Sequence, residues 1–215
     1  MLKGANDADG TNPGKEAVRQ VYREYTPHYP LLPNVAGNGT IQQSFWIGKV
    51  KFILTDCRSA RDPEENIDTD NKSMLGLEQR SWLLAELDAS KSAGLVVWVV
   101  SVPWVSDKGG EGWGKYNSER AIIANTISSL NLRIVVLAGD AHMLAMDDGR
   151  NNKFSPLFPQ FSFPAVQSAS LDRSPSVKGG PYFFGCSPGS GKHFLFSLIF
   201  LFFFVFREIH ICNCL

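Results

Sequence analysis

The sequence carries no surplus of charge: 21 Lys and Arg stand against 21 Asp and Glu, a formal net charge of zero. That balance leaves no nucleic-acid-binding footprint and no pull toward an acidic membrane surface. Cysteine is scarce, with four in 215 residues (Cys57, Cys186, Cys212 and Cys214) and no CxxC pair. A disulfide-built miniprotein and a zinc ribbon are both excluded. The polar, Gly-rich start from Met1 to Gly14 has no apolar h-region, so no signal peptide is read and no compartment is assigned. Gly189-Ser190-Gly191-Lys192 lacks the leading glycine of a P-loop, and His193 stands where Ser or Thr would bind magnesium. Nucleotide binding through that motif is excluded too. What the sequence does have is an apolar fraction of 44%, enough for the core of one ordinary domain.

The hydrophobic pattern predicts a helix over Lys15 to Tyr25, with Val18, Val21, Tyr22 and Tyr25 at helical spacing. Pro27, Pro30 and Pro33 then enforce an extended segment. Strands are expected at Ile41 to Ile47 and Lys49 to Thr55, a charged loop from Arg58 to Lys72, and a helix from Leu77 to Leu87. Leu95 to Ser101 is a continuous apolar run of strand length. Asn117 to Leu130 reads as a helix with Asn117 as its N-cap and Glu119 in its first turn, and Arg133 to Ala138 as a second buried strand. Strand, helix, strand in this spacing is a βαβ unit, so its two strands should be parallel. Runs this apolar predict a sheet covered on both faces.

Three strands end in residues that carry chemistry: Asp56-Cys57-Arg58, Ser101 with Pro103-Trp104, and Gly139-Asp140-Ala141-His142. In open α/β sheets, ligands bind outside the carboxyl ends of strands, so these ends point to one site. Asp140 and His142 present a carboxylate and an imidazole from one turn, donors suited to divalent or trivalent metal ions, and Gly139 would let the backbone come close. The alternative is an Asx-turn and a loop histidine. Arg58 with Asp56 reads either as an anion clamp or as part of a structural ion pair with Arg61 or Glu64. Asp147-Asp148 reads as a solvated turn. Trp104 and Trp113 read as core before pocket wall.

Taken together, the sequence resembles the PhoD-like metallophosphatase family (alkaline phosphatase D type), within the calcineurin-like metallophosphoesterase superfamily. The resemblance rests on Tyr22-Arg23 with Pro27-His28-Tyr29-Pro30, on Gln43 to Gly48, and on Phe52 to Asp62. It continues through Lys72 to Gly76 with Gln79 and Trp82, Val102-Pro103-Trp104, and Trp113 to Tyr116 with Glu119-Arg120. Gly139 to His142, Leu171-Asp172-Arg173 and Lys178 to Tyr182 complete it, over roughly residues 6–191. It implies an α/β sandwich of mixed sheets with flanking helices, and hydrolysis of phosphomonoesters and phosphodiesters at a metal cluster of iron and calcium. Asp140 and His142 would be metal-site residues, Arg58 a phosphate-binding residue, and the partner a phosphate ester substrate.

The family's opening motifs, an Asp-x-His, a Gly-Asp and an Asp-Asp-His-Asp run, do not occur here. The resemblance therefore implies a partial sandwich with its N-terminal strands missing, and a truncated, poorly active enzyme. A non-catalytic binding or membrane-tethered remnant is the alternative. The chain divides into a partial phosphatase domain, residues 1–191, and an apolar tail, residues 192–215. Seven of the 15 Phe fall between Phe194 and Phe206, where Ser197 is the only polar residue. As a helix this run would reach ~20 Å against a ~30 Å hydrocarbon core, which suits membrane contact better than a full span. The tail is expected to project from the domain, and any membrane association would run through it.

Overall fold

The computed structural model describes residues 8–31, 39–106, 112–168 and 179–186. The tail at Phe194 to Phe206 lies outside these residues, as do Leu171-Asp172-Arg173 and Lys178. Helix α1 spans Lys15–Tyr25; strands β1 (Gln43–Ile47) and β2 (Val50–Leu54) follow. Then come α2 (Leu77–Asp88), β3 (Leu95–Val100), α3 (Asn117–Ser129) and β4 (Ile134–Ala138). Three short strands close the described chain: β5 (Leu144–Asp147), β6 (Ala165–Gln167) and β7 (Phe184–Cys186). The seven form one mixed sheet in the order β1-β2-β3-β4-β6-β5-β7. β2, β3, β4 and β6 run parallel; β1, β5 and β7 are antiparallel to their neighbours. The expected parallel pairing of Leu95–Val100 with Ile134–Ala138 across α3 is present.

The two faces of this sheet differ. On one, Ile53, Trp98 and Val136 lie side by side across β2, β3 and β4. Leu83 and Leu87 from α2 and Ile123 and Ile127 from α3 close over them in a single core. Burying each such aliphatic side chain contributes about 1.5–3 kcal/mol against exposure, so this layer dominates the stability of the domain. Trp98, Trp104 and Trp113 pack edge to face with centroids 4.9–5.9 Å apart, and all three are fully buried. Trp104 and Trp113 are therefore core.

The opposite face is as apolar but has no helical layer among the described residues. Phe45, Phe52, Val97 and Val135 form one cross-strand row and Leu54, Val99, Leu137 and Val166 the next. Of these only Val97 and Val135 are buried. The strands are patterned for cover on both sides, as expected, and among the described residues a helical layer lies over one of them. β3 and β4 are each paired on both sides.

Helix α1 lies at one end of this open face and is turned contrary to its sequence pattern. Val18, Val21 and Tyr25 are 63%, 55% and 77% exposed, while Arg19 is buried and paired with Glu16. The loop from Arg58 to Lys72 is tied down by its last residue. Lys72 Nζ donates to the carbonyls of Glu64, Asn66 and Lys115 at 2.8–2.9 Å, above the Tyr116 ring. The same loop caps α3: Asp68 accepts N–H bonds from Asn117 and Ser118. Asn117 is the first helical residue and not the cap, and its side chain donates to Gly114 O instead. The solvated-turn reading holds for Asp148, which is exposed, but not for Asp147. Asp147 is fully buried and accepts from Gly149 N, Asn151 N and Asn151 Nδ2, so it organises its turn from inside.

Candidate active site at the carboxyl edge of the sheet

Because β2, β3 and β4 are parallel, Thr55–Arg58, Ser101 and Gly139–His142 all emerge at the same edge. The first of these segments is fixed from both sides. Asp56 Oδ1 accepts the N–H groups of Arg58 and Ser59, each at 3.0 Å, and Oδ2 that of Ile41 at 3.2 Å. Asp56 thus sets the backbone that carries Arg58. The buried amide of Gln79, from α2, holds the Asp56 backbone: Oε1 accepts Asp56 N–H at 2.7 Å and Nε2 donates to Asp56 O at 2.8 Å. Arg58 is left half-buried at the edge. The ion pair seen nearby is Arg61 with Glu64 at 3.8 Å. Cys57 is buried, which pushes its thiol up from the ordinary range.

The third segment is a strained turn. Ala141 N–H donates back to Gly139 O at 3.0 Å, an i to i+2 bond closed across Asp140 with φ of +74°. That combination is the rarer, strained γ-turn. His142 follows with φ of +48°. Non-glycine residues held at positive φ cost of order 1–3 kcal/mol each and cluster at functional sites. The turn is held in place by Ala141, fully buried beneath it, and by Gln167, whose Nε2 donates to Gly139 O and Ala138 O. Gly139 itself has no special role: a Cβ there would meet Ser101 O at 3.4 Å, an ordinary contact. The conformational demand falls on Asp140 and His142.

Arg58 and the Asp140–His142 turn lie beyond β2 and β4, with Ser101 between them at the end of β3. Two strand spacings, ~10 Å of backbone, separate the two strand ends. A cavity of about 460 Å³ opens beside Arg58, walled by α1, by the Thr55–Ser59 loop and by Leu54 and Val99 of the open face. Among the described residues, Asp140 and His142 are not part of its wall. The residues that sequence reasoning did not assign are the positioning amides. Gln79 appeared only within the family pattern, and Gln167 carries no local signal at all.

A carboxylate and an imidazole are suitable donors for iron, and the carboxylate for calcium. Two donors are fewer than either ion takes. Among the described residues, no group of three His, Cys, Asp or Glu is placed to hold a metal. The described residues therefore do not form a metal centre by themselves.

A mixed α/β sheet with chemistry-bearing loops at its carboxyl edge defines the class. Within that class, the PhoD-like phosphatase family model matches residues 3–181, and the chain belongs to that family. Alkaline phosphatase D of Bacillus subtilis (strain 168) is 29% identical to it, over 56% of this chain and 25% of its own length. A solved structure described as "Structure of PhoD" superposes with a TM-score of 0.62 at 24% identity, covering 77% of this chain and 37% of the other. The chain thus spans about a quarter of the length of the curated relative.

Proposed function

We propose that this chain is part of a phosphoric ester hydrolase of the PhoD-like, metal-dependent type, acting on phosphomonoesters or phosphodiesters. The observation that carries the reading is the convergence of Arg58, Ser101 and the strained Asp140–His142 turn on one sheet edge, in a chain of this family. Arg58 binds phosphoryl oxygens: its planar guanidinium offers paired N–H donors that match two oxygens and complement the charge that develops on them. Asp56 and Gln79 hold it in place through the backbone. Asp140 and His142 are metal ligands whose remaining partners lie outside the described residues. Among the described residues no further donor joins these two in a metal-holding group, and on this reading the 215-residue chain is expected to turn over slowly.

Calorimetric titration with inorganic phosphate, paired with hydrolysis of an aryl phosphate in added iron and calcium, tests this reading. Phosphate affinity should fall at least about tenfold in Arg58→Ala, the loss of one bidentate charged pair, and partly return in Arg58→Lys. Equal affinity in wild type and Arg58→Ala would remove Arg58 from the site. Vigorous turnover abolished by Asp140→Ala would show that the chain is catalytically complete.

A further inference from the structure

Resting on the assignment of Arg58 to the phosphoryl group, we propose that the cavity beside it receives the alcohol portion of the ester. We further propose that this portion is apolar and of about aromatic-ring size. The cavity's volume of about 460 Å³ lies in the range that encloses drug-sized ligands. Its apolar lining is formed largely by Val18 and Tyr22 from α1, Ile41, and Leu54 and Val99 from the open sheet face. Tyr22 is fixed there, because Gln43 Nε2 donates to its hydroxyl at 3.0 Å while Gln43 Oε1 accepts Tyr29 N–H. A sugar or glycerol placed against these side chains would leave hydroxyls unpaired, at a cost that an apolar group avoids.

The charged groups that line the cavity favour an anionic head. Both carboxylates lining it are already engaged: Asp56 by three backbone N–H groups and Asp9 by the Thr11 N–H and hydroxyl. Arg58, Lys15 and Arg19 are the cationic side chains lining the cavity; Lys15 Nζ donates to Gly10 O and Arg19 pairs with Glu16. A lining that carries both apolar side chains and cationic donors suits an amphiphilic phosphate ester better than either half alone.

The test is calorimetric titration of the full chain with three non-hydrolysable probes. These are methylphosphonate (head alone), 2,3-dihydroxypropylphosphonate (polar arm) and 2-naphthylmethylphosphonate (apolar arm). The naphthyl probe should bind at least about tenfold more tightly than the other two, since burying part of one ring is worth that much. In Val18→Ser and Val99→Thr this advantage should vanish while methylphosphonate affinity holds. Val18 is 63% exposed, so its substitution leaves the fold intact even if the strand variant does not. Arg58→Ala should weaken all three. Equal affinity for the three probes would overturn the inference and leave the Arg58 reading standing. Naphthyl binding that survives Arg58→Ala would overturn it in favour of a purely apolar groove. No binding of any probe would take down the Arg58 reading and the inference with it.

Discussion

Gln79→Leu removes the amide that holds the Arg58 loop while keeping nearly the same volume. Three hydrogen bonds go: Asp56 N–H to Oε1 at 2.7 Å, and Nε2 to Asp56 O at 2.8 Å and to Leu75 O at 2.9 Å. Gln79 is 2% exposed and Asp56 8%, so water cannot readily replace the lost partner. Leaving two backbone groups of Asp56 unsatisfied costs about 1–3 kcal/mol each, and burial of the leucine side chain returns about 1 kcal/mol. The net loss is ~3 kcal/mol, equivalent to a Tm lower by ~6–12 °C for a domain of this size. Thermal melting followed by far-UV circular dichroism measures it. Gln79→Glu is the companion variant. It keeps an acceptor for Asp56 N–H but sets a carboxylate against Asp56 O, so its destabilisation should be larger at neutral pH than where the new carboxyl is protonated. Both variants should also weaken phosphate binding through Arg58. A Tm for Gln79→Leu within about 1 °C of wild type would refute the role assigned to the amide.

Three further outcomes follow from the packing. Burial raises the Glu119 carboxyl above its ordinary 4.5, while Ser73 Oγ and Met74 N–H donate to it. The folded state then binds more protons than the unfolded state between 4.5 and the raised value, so stability falls as pH rises through that window. Denaturant midpoints across this range should decline in wild type relative to Glu119→Gln. Lys72→Met removes a cation shared by three carbonyls, two of them on exposed residues that water can reach, so a loss of ~2 kcal/mol is expected in a urea melt. The open sheet face should bind an apolar dye in the native state. Ile47→Lys with Phe184→Lys, at positions 57% and 48% exposed, should cut that signal and leave Tm nearly unchanged.

Much of the βαβ region was legible in the sequence because apolar runs of strand length flanked a helix-period segment there. The parallel pairing of Leu95–Val100 with Ile134–Ala138 followed from that order alone. The three strand ends that gather the candidate site were legible for the same reason. The direction in which α1 presents its residues was not. Its apolar positions share one face, but Arg19 pairs with Glu16 on the buried side while Val18, Val21 and Tyr25 stay outside. The last strands, with three or four residues each, are too short for a two-residue period to register. The cap of α3 was missed because Asp68 reaches it from 49 residues away. Gln79 and Gln167 were unreadable on similar grounds: an amide takes its role from partners 23 and 28–29 residues distant, and no local pattern encodes them.

The central claim is that the carboxyl edge of β2, β3 and β4 forms one phosphate site. The most direct test is titration of the isotopically labelled chain with inorganic phosphate, followed through backbone amide and arginine side-chain resonances. Saturable shifts are expected at Arg58, Ser59, Ser101 and Gly139 to His142 alone, with Gly48, Gly94 and Leu132 at the opposite edge unmoved. Shifts centred on that opposite edge, or movement at Arg58 with none at Asp140 and His142, would contradict it.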